Sequence, residues 1–355
     1  MRIAMYHYRL PQPGRKPGGV EVFVDRLADA MVRRGHEVEV LTYSSAPAGA
    51  QYRTRRLHPH STEHRRFLRQ YGSPWLINFQ SFEGFDVAHF HGDDWFFLRR
   101  HLPVVRTFHG SALLEALNAT SLRRRLDKAL VFPLELLAAR LATSSYGVGV
   151  DSEIIYQTNG LLNLGIDLPD RPPQPSSNPS ILFVGTWEGR KRGSFLHEVF
   201  RREVRPAIPD AELWMVSDAC EPFEGVRWIH APSDAELSEL LTRSWSFCLP
   251  SSYEGFGIPY VEAMAHGVPV IASPNPGSRA LLAGGCGILA EDGDLGRRLV
   301  ELLGDEKLRD SLVAEGSKRA KEYSWERMAE RHEQAYEQAI ERWKSNARRR
   351  PRSKS

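Results

Sequence analysis

Two glutamates, Glu254 and Glu262, stand eight positions apart, and the residues between them suit phosphate and sugar chemistry. Gly255 and Gly257 leave the backbone amides open to a ligand. Pro259 favours the first turn of a helix, so that the positive end of the helix and its free amides would face a phosphate. The two carboxylates could then reach hydroxyl groups on either side of that phosphate. A phosphate flanked by hydroxyl-rich groups describes a nucleotide sugar.

The segment from 254 to 271 reads Glu-Gly-Phe-Gly-Ile-Pro-x-x-Glu-Ala-Met-Ala-x-Gly-x-Pro-Val-Ile. It resembles the Glu-x7-Glu signature of the retaining glycosyltransferases of family 4, which have the GT-B fold. An isolated pair of glutamates at this spacing is ordinarily two solvated carboxylates, and the full string favours the family. The resemblance implies that Glu254 holds donor-sugar hydroxyls and that Glu262 holds ribose hydroxyls. It also places four intervening residues in the donor site: Gly255, Phe256, Gly257 and Ile258.

A basic loop follows a predicted strand in the second half of the chain and contains Arg190, Lys191 and Arg192. Three consecutive cations are ordinarily a solvated surface, but at the carboxyl end of a strand they would neutralise a diphosphate. The family carries a basic pair at this place. The extra cation leaves open which two bind: Arg190 and Lys191 are favoured, and Arg192 is the alternate.

The first half of the chain contributes a glycine pair and a histidine. Gly18 and Gly19 lie between the first predicted strand and the first predicted helix, where a bare backbone lets a diphosphate or sugar approach. His109 follows another predicted strand, at the edge where doubly wound sheets bind ligands. In the family that the chain resembles, the matching histidine contacts the donor sugar. His89 and His91 are interpreted as structural or acceptor-side residues.

The chemistry that this set implies is transfer of a hexose from a UDP- or GDP-linked sugar to a hydroxyl acceptor: a glycan, a lipid-linked sugar or a natural-product glycoside. Fixed cations and a helix end would stabilise the leaving diphosphate without a metal ion or other cofactor. The resemblance implies retention of configuration, with no side-chain nucleophile. Asp93 and Asp94 are interpreted as a turn rather than a metal site. The residues assigned to catalysis are His109, Glu254, Arg190 and Lys191.

Two other functions remain open on the same sequence. One is a sugar-nucleotide epimerase or phosphorylase of the same fold, which would need no acceptor pocket. The other is a non-catalytic subunit that binds a sugar nucleotide. The intact set of His109, Glu254, Glu262 and the basic loop argues against a silent subunit.

The elements that must position these residues form two α/β halves. A helix is predicted over 20–34. Strands are predicted over 2–8, 38–42, 86–91, 104–108, 180–185, 212–216, 246–249 and 268–272. The resemblance implies two Rossmann-like domains facing across a cleft. The predicted division is an acceptor-side domain 1–169, a linker 170–179, a donor domain 180–323, a helix 324–345 crossing back to the first domain, and a disordered basic tail 346–355.

Composition excludes several classes of protein. The chain has 355 residues, a net charge of +3 and three cysteines without metal-ligand spacing. This charge is not that of a nucleic-acid-binding protein, and the cysteines favour a reducing cytoplasm. We expect neither a secretory signal nor a membrane-spanning segment. Three basic, apolar segments indicate either solvated helix faces or a peripheral contact with the inner-membrane surface or an anionic acceptor: 64–69, 95–100 and 122–126.

Overall fold

The computed structural model describes residues 1–15, 17–57, 72–98, 101–117, 121–169 and 172–349. The chain divides into two compact units, one formed by Met1–Gly165 with Trp325–Ser355 and the other by Ile166–Ser324. The boundary therefore falls ahead of the predicted linker. The part of that linker from 172 onward belongs to the second unit, where the Gln174 amide donates to the Thr242 carbonyl at 2.9 Å.

The first unit is built on a parallel sheet with the order β3-β2-β1-β4-β5-β6. Its strands are β1 (Arg2–Tyr6), β2 (Glu37–Thr42), β3 (Arg53–Arg56), β4 (Val87–Phe90), β5 (Val104–Phe108) and β6 (Ser144–Gly147). Its first helices are α1 (Gly19–Arg33), α2 (Ser73–Leu76), α3 (Ala112–Leu117), α4 (Leu122–Leu141) and α5 (Val150–Tyr156). This order reverses between β1 and β4, and ligands of doubly wound sheets bind beyond the carboxyl ends of strands at such a reversal.

The second unit repeats the arrangement, with the order β12-β11-β10-β7-β8-β9. Its strands are β7 (Ser180–Val184), β8 (Glu212–Val216), β9 (Val226–Ile229), β10 (Ser246–Leu249), β11 (Val270–Ala272) and β12 (Ile288–Leu289). Its helices are α6 (Gly193–Val199), α7 (Arg205–Ala207), α8 (Asp234–Arg243), α9 (Ile258–Ala265), α10 (Pro276–Leu281), α11 (Leu295–Gly304) and α12 (Glu306–Lys321). Here the order reverses between β7 and β10.

Central strands form where the sequence is apolar on both faces. Every residue of β4, β5 and β10 is buried, as expected for parallel strands covered by helices on both sides. The strand predicted from 268 begins at Val270 instead. Pro269 has no N–H to give to the sheet, and the Val268 amide donates to the Ala263 carbonyl at the end of α9.

The last helix, α13 (Trp325–Arg349), returns to the first unit. Ala329, Ala335, Tyr336 and Ala339 repeat at helical spacing and join the core formed by β1, β2 and α1. The helix passes the predicted end at 345 by four residues, because Ala and Arg are strong helix formers and cations suit a helix C-terminus. Residues 350–355 of the predicted tail lie outside the described residues.

Candidate active site

The candidate donor site of the second unit lies where the sheet order reverses. β7 and β10 are paired neighbours, and the loops that follow them are joined by a hydrogen bond of 2.9 Å from the Ser252 amide to the Arg190 carbonyl. The first loop carries the three cations and the second carries Glu254. Adjacent parallel strands therefore bring two segments that are sixty residues apart in sequence to one sheet edge.

Glu254 is buried and ion-paired. Its Oε1 accepts from the Arg190 guanidinium at 2.6 Å and lies 2.7 Å from the Lys191 ammonium. Burial would raise the pKa of the Glu254 carboxyl, but Lys191 and Arg190 together outweigh it, and the net direction is downward. Glu254 is therefore a fixed negative charge held between two cations.

The two cations of this pair differ in exposure. The Arg190 side chain is 51% exposed and that of Lys191 only 14%. Burial lowers the pKa of Lys191, and Glu254 opposes this shift. Arg190 also donates to the Tyr253 carbonyl at 2.9 Å, which fixes its guanidinium over the loop.

Arg192 faces a different partner. It adopts the left-handed conformation, with φ of 60°, and its guanidinium makes two hydrogen bonds of 2.9 and 2.6 Å to the carboxylate of Asp292. It also lies over the ring of Phe195 at 4.1 Å. The structure thus brings Arg190 and Lys191, and not Arg192, to Glu254.

The loop from Glu254 to Ile258 turns sharply into α9. Gly257 has φ of +95°, and a Cβ atom there would lie 2.5 Å from the Tyr260 ring, so only glycine fits. The loop is supported from below by α10. The Gly277 amide donates to the Glu254 carbonyl at 2.9 Å, and a Cβ on Gly277 would meet the Phe256 carbonyl at 2.5 Å. Sequence reasoning missed Gly277, although the Asn275-Pro276-Gly277 helix-start signal was available.

Glu262 lies one turn inside α9 and is partly buried. Its carboxylate forms no hydrogen bond or ion pair with another side chain in the described part of the chain. Burial, followed by Asp234 and Asp167, raises its pKa. Glu254 and Glu262 are therefore unlike: the first is paired and the second is available to a ligand.

His109 follows β5 in the first unit and belongs to a group of histidines. Its Nε2 lies 3.1 Å from the Nδ1 of His91, and Phe23 packs edge-on against the two rings, at 5.1 and 5.7 Å between ring centroids. Burial, and after it the neighbouring histidines, lowers the pKa of both residues well below the usual value. Both imidazoles are neutral at pH 7.

His89 is the structural member of this group. Its two ring nitrogens lie 2.7 Å from the Tyr336 hydroxyl and 2.8 Å from the Thr107 hydroxyl, and the residue is fully buried. His332 of α13 stands beside it and donates from Nδ1 to the Met328 carbonyl at 2.7 Å. Sequence reasoning missed His332 and Tyr336; their place on the apolar face of α13, four residues apart, was the available signal.

Gly18 and Gly19 begin α1, with Gly18 extended at φ of −79°. The loop before them is held in place by an ion pair between Arg15 and the buried Glu21.

Asp94 is fully buried and ion-paired with the buried Arg106. None of the helices described is long and apolar enough to cross a bilayer.

Two family models match the chain. The model described as glycosyl transferases group 1 matches residues 168–319, and that described as glycosyltransferase family 4 matches 17–146. A phosphatidyl-myo-inositol mannosyltransferase of Mycobacterium leprae is 28% identical over 382 aligned positions, covering 95% of this chain and 96% of that protein. The O-antigen chain mannosyltransferase B of Escherichia coli is 32% identical over 161 positions, 41% of this chain and 42% of that protein.

Solved structures show the same fold. A sucrose-phosphate synthase from Thermosynechococcus elongatus superposes with a TM-score of 0.74 at 19% identity, covering 95% of this chain and 98% of that one. HepE of Anabaena, crystallised with UDP and glucose, superposes with a TM-score of 0.69 at 16% identity, covering 94% of this chain and 99% of that one. The two six-stranded parallel sheets and these neighbours establish a GT-B fold.

Proposed function

The chain belongs to the group 1 glycosyltransferases, and we propose that it transfers mannose from GDP-mannose to a hydroxyl group of a lipid-linked acceptor, with retention of configuration and without a metal ion. The observation that carries this proposal is the cluster of Glu254, Arg190 and Lys191 beside the start of α9. A carboxylate, two cations and a helix N-terminus gathered at one edge of the sheet match the charges of a sugar diphosphate.

The cations and the helix end would bind the diphosphate. A phosphate that enters beside Gly257 meets the positive end of α9 and the half-exposed Arg190. Lys191 can share its ammonium between Glu254 and a phosphate oxygen, since it has three donors. A phosphate that takes part of this charge would free Glu254 to accept hydrogen bonds from the hydroxyls of the donor sugar.

Glu262 would bind the ribose. Its carboxylate is partly buried, carries a raised pKa and has no partner within the described part of the chain. A pair of ribose hydroxyls would donate to both oxygens and offset the cost of burying that charge. A ribose ligand would explain why Glu262 pairs with neither Lys191 nor Arg190, although both cations lie at the same edge of the sheet.

The reaction would be driven by stabilising the leaving group. Cleavage of the bond between C1 and the phosphate oxygen leaves negative charge on the diphosphate and positive charge on the sugar. Arg190, Lys191 and the helix end oppose the negative charge, and a phosphate oxygen accepts the proton of the attacking hydroxyl on the same face. His109, neutral at pH 7, would hold a sugar hydroxyl rather than exchange a proton.

The choice of donor and acceptor rests on the relatives. Those named above are mannosyltransferases, and a further one, matched at 32% identity over 35% of this chain, is named a GDP-mannose:cellobiosyl-diphosphopolyprenol alpha-mannosyltransferase. Two of these names specify a lipid or lipid-linked acceptor. The three free cysteines fit a reducing compartment, so we place the reaction in the cytoplasm.

Ligand-induced stabilisation tests the donor site. Without added metal, GDP and GDP-mannose should raise the unfolding temperature and UDP-sugars should not; saturation at a hundred times Kd adds about 2.7 kcal/mol of stability. The shift should disappear in Glu262→Ala and persist in Glu239→Ala, an exposed glutamate on α8. A folded protein that responds to no nucleotide would contradict the donor site.

Transfer itself is tested with the bound nucleotide sugar and a short-chain lipid-linked sugar. NMR of the product should show the anomeric configuration of the donor. Inversion would refute retention, and loss of activity with a chelator would refute metal independence. Turnover of the donor without any acceptor would favour the epimerase.

A further inference from the structure

Helix α4 leaves a row of leucines in solvent. Leu122, Leu126, Leu130 and Leu137 are 71%, 57%, 66% and 41% exposed. Spacings of four, four and seven residues place them on one side of the helix. We call this row the α4 stripe.

The opposite side of α4 already serves the core of the first unit. Val131 is 5% exposed and Ala138 is fully buried, and both belong to an apolar cluster with Trp95 and Ala112. A surface helix ordinarily needs one apolar side for the core and a polar side for water. The α4 stripe is a second apolar side, and single exposed leucines would not be notable whereas a continuous row is.

The charge around the stripe is positive. Arg123 and Arg125 are exposed beside the stripe at the start of the helix, and Arg140 is exposed beside it at the end, whereas Arg124 lies on the other side, 3.6 Å from the Glu115 carboxylate. The two acidic residues of the helix, Asp127 and Glu135, are partly buried, and Glu135 accepts a hydrogen bond from the Ala112 amide at 3.2 Å. Leucines with arginines beside them form an apolar surface with a cationic border.

A second exposed apolar group lies in the same unit. Trp75, Phe79 and Leu98 are 51%, 71% and 58% exposed. The Trp75 ring stacks on Phe96 at 5.6 Å, and Phe96 packs against the same cluster that receives the buried side of α4. Tryptophan with an exposed edge is typical of the boundary between lipid and water.

We propose that the α4 stripe, bordered by Arg123, Arg125 and Arg140, is a docking surface for an anionic phospholipid bilayer. The helix lies along the bilayer with its leucines at the level of the acyl chains. The arginine side chains reach outward to lipid phosphates, since their long apolar stems allow the charge to stay in the headgroup layer.

The same observations disfavour other occupants. A two-fold dimer through the stripe would bring two sets of arginines together in either orientation. A nucleic acid would satisfy the arginines but would leave four leucines against a polar backbone. A bilayer supplies hydrocarbon and negative charge in adjacent layers, which is the order found on α4.

The docking surface deepens the proposed function, because a lipid-linked acceptor resides in the same bilayer, but it is tested without any donor. Full-length protein is floated with vesicles of phosphatidylcholine alone and with vesicles of phosphatidylcholine and phosphatidylglycerol in equal parts. We expect binding to the anionic vesicles only. Added salt should weaken it, because screening shortens the reach of the arginine charges.

Two sets of variants separate the leucines from the charge. Replacing Arg123, Arg125 and Arg140 by Gln should weaken binding about fivefold for each charge removed, or about a hundredfold together. The double change Leu126→Gln and Leu130→Gln should weaken it more than tenfold. Matched controls outside the surface should bind as the native protein does: Arg201, Arg202 and Arg227 to Gln together, and Ile154→Gln, whose side chain is 69% exposed.

Each result decides the proposal. It is overturned if the native protein does not float with the anionic vesicles, or if both variant sets bind these vesicles as their controls do. It is also overturned if the native protein is a dimer in sedimentation and the leucine variant is a monomer, because the stripe would then be an interface between copies. Unchanged nucleotide-induced stabilisation in the variants shows that they are folded. A protein that binds vesicles but transfers no sugar would retain the docking surface and lose the proposed function.

Discussion

The two units share a sheet order, yet the side chains gathered where that order reverses differ in electrostatic character. In the second unit they are ionised: Glu254 is paired with Arg190 and Lys191. In the first unit the histidines that follow β4 and β5, His91 and His109, are neutral, since burial lowers their pKa. The backbone topology therefore fixes where a site forms and leaves its chemistry to the loop residues. Charged groups suit a diphosphate, and neutral hydrogen-bonding groups suit a sugar.

The largest expected effect separates the cations of the charged region. Lys191→Met should lower kcat/KM about a hundredfold to a thousandfold, because it removes a cation from the leaving diphosphate and leaves Glu254 buried with one partner fewer. Arg192→Gln should cost far less, since Arg192 is engaged by Asp292. Steady-state kinetics on both variants measures this. Equal losses would mean that donor binding draws Arg192 away from Asp292.

As pH falls, the buried histidines of the first unit should reduce the stability of the fold at a higher pH than Glu254 of the second unit does. Burial lowers the pKa of His332 to about 4, so the unfolded chain binds a proton below pH 6.5 that the folded chain does not. This histidine should therefore remove about 1.4 kcal/mol of stability for each pH unit between 6.5 and about 4. Glu254 acts at lower pH: its pKa is depressed, so the stability it contributes is lost only as pH falls below 4.5.

Thermal unfolding of the native protein and of His332→Leu at pH 7.0 and at pH 5.5 measures the histidine contribution. The difference between the two pH values should shrink in the variant. An unchanged difference would assign the acid response to other groups, among which His266 of the second unit also has a pKa lowered by burial.

The smallest expected effect concerns His91 and the tautomer of His109. The Nε2 of His91 is buried without a hydrogen-bond partner in the described part of the chain. A buried N–H without an acceptor costs more free energy than a buried ring nitrogen without a donor, so we expect this Nε2 to carry no hydrogen. His91 should then donate from Nδ1 to the Nε2 of His109, leaving the Nδ1–H of His109 to face a ligand.

His91→Leu should lower kcat about tenfold with little change in KM, because the sugar is bound but misaligned. Nitrogen-15 NMR should show His109 changing from the Nδ1–H to the Nε2–H tautomer, and His91→Asn, which keeps a donor, should retain activity. An unchanged tautomer in His91→Leu would reduce His91 to a packing residue.

The apolar pattern of the sequence predicts the inner strands and not the outer ones. The eight predicted strands correspond to β1, β2, β4, β5, β7, β8, β10 and β11. The others, β3, β6, β9 and β12, are the outermost described strands of the two sheets. An inner strand is covered on both faces and reads as an apolar run, whereas β3 is Arg-Thr-Arg-Arg and needs only its neighbour β2.

The residues of the candidate donor site follow a similar division. The loop from Glu254 to Glu262 and the basic loop are visible in sequence, because glycines, prolines and consecutive cations are local signals. The pairing of Lys191 with Glu254 and the support from Gly277 depend on which loops the sheet brings together. A stretch of sequence alone does not contain that information, and the roles of these residues stay predictions.

The first unit is assembled from both ends of the chain. Gly165 and Trp325 meet so closely that a Cβ on Gly165 would lie 2.5 Å from the indole ring. During synthesis on the ribosome the segment Ile166–Ser324 emerges as one continuous stretch, whereas the other unit lacks α13 until that whole segment has been made. Until α13 has been made, His89 lacks the hydrogen-bond partner that the Tyr336 hydroxyl provides. The interrupted unit can thus be completed only after the continuous one has been synthesised.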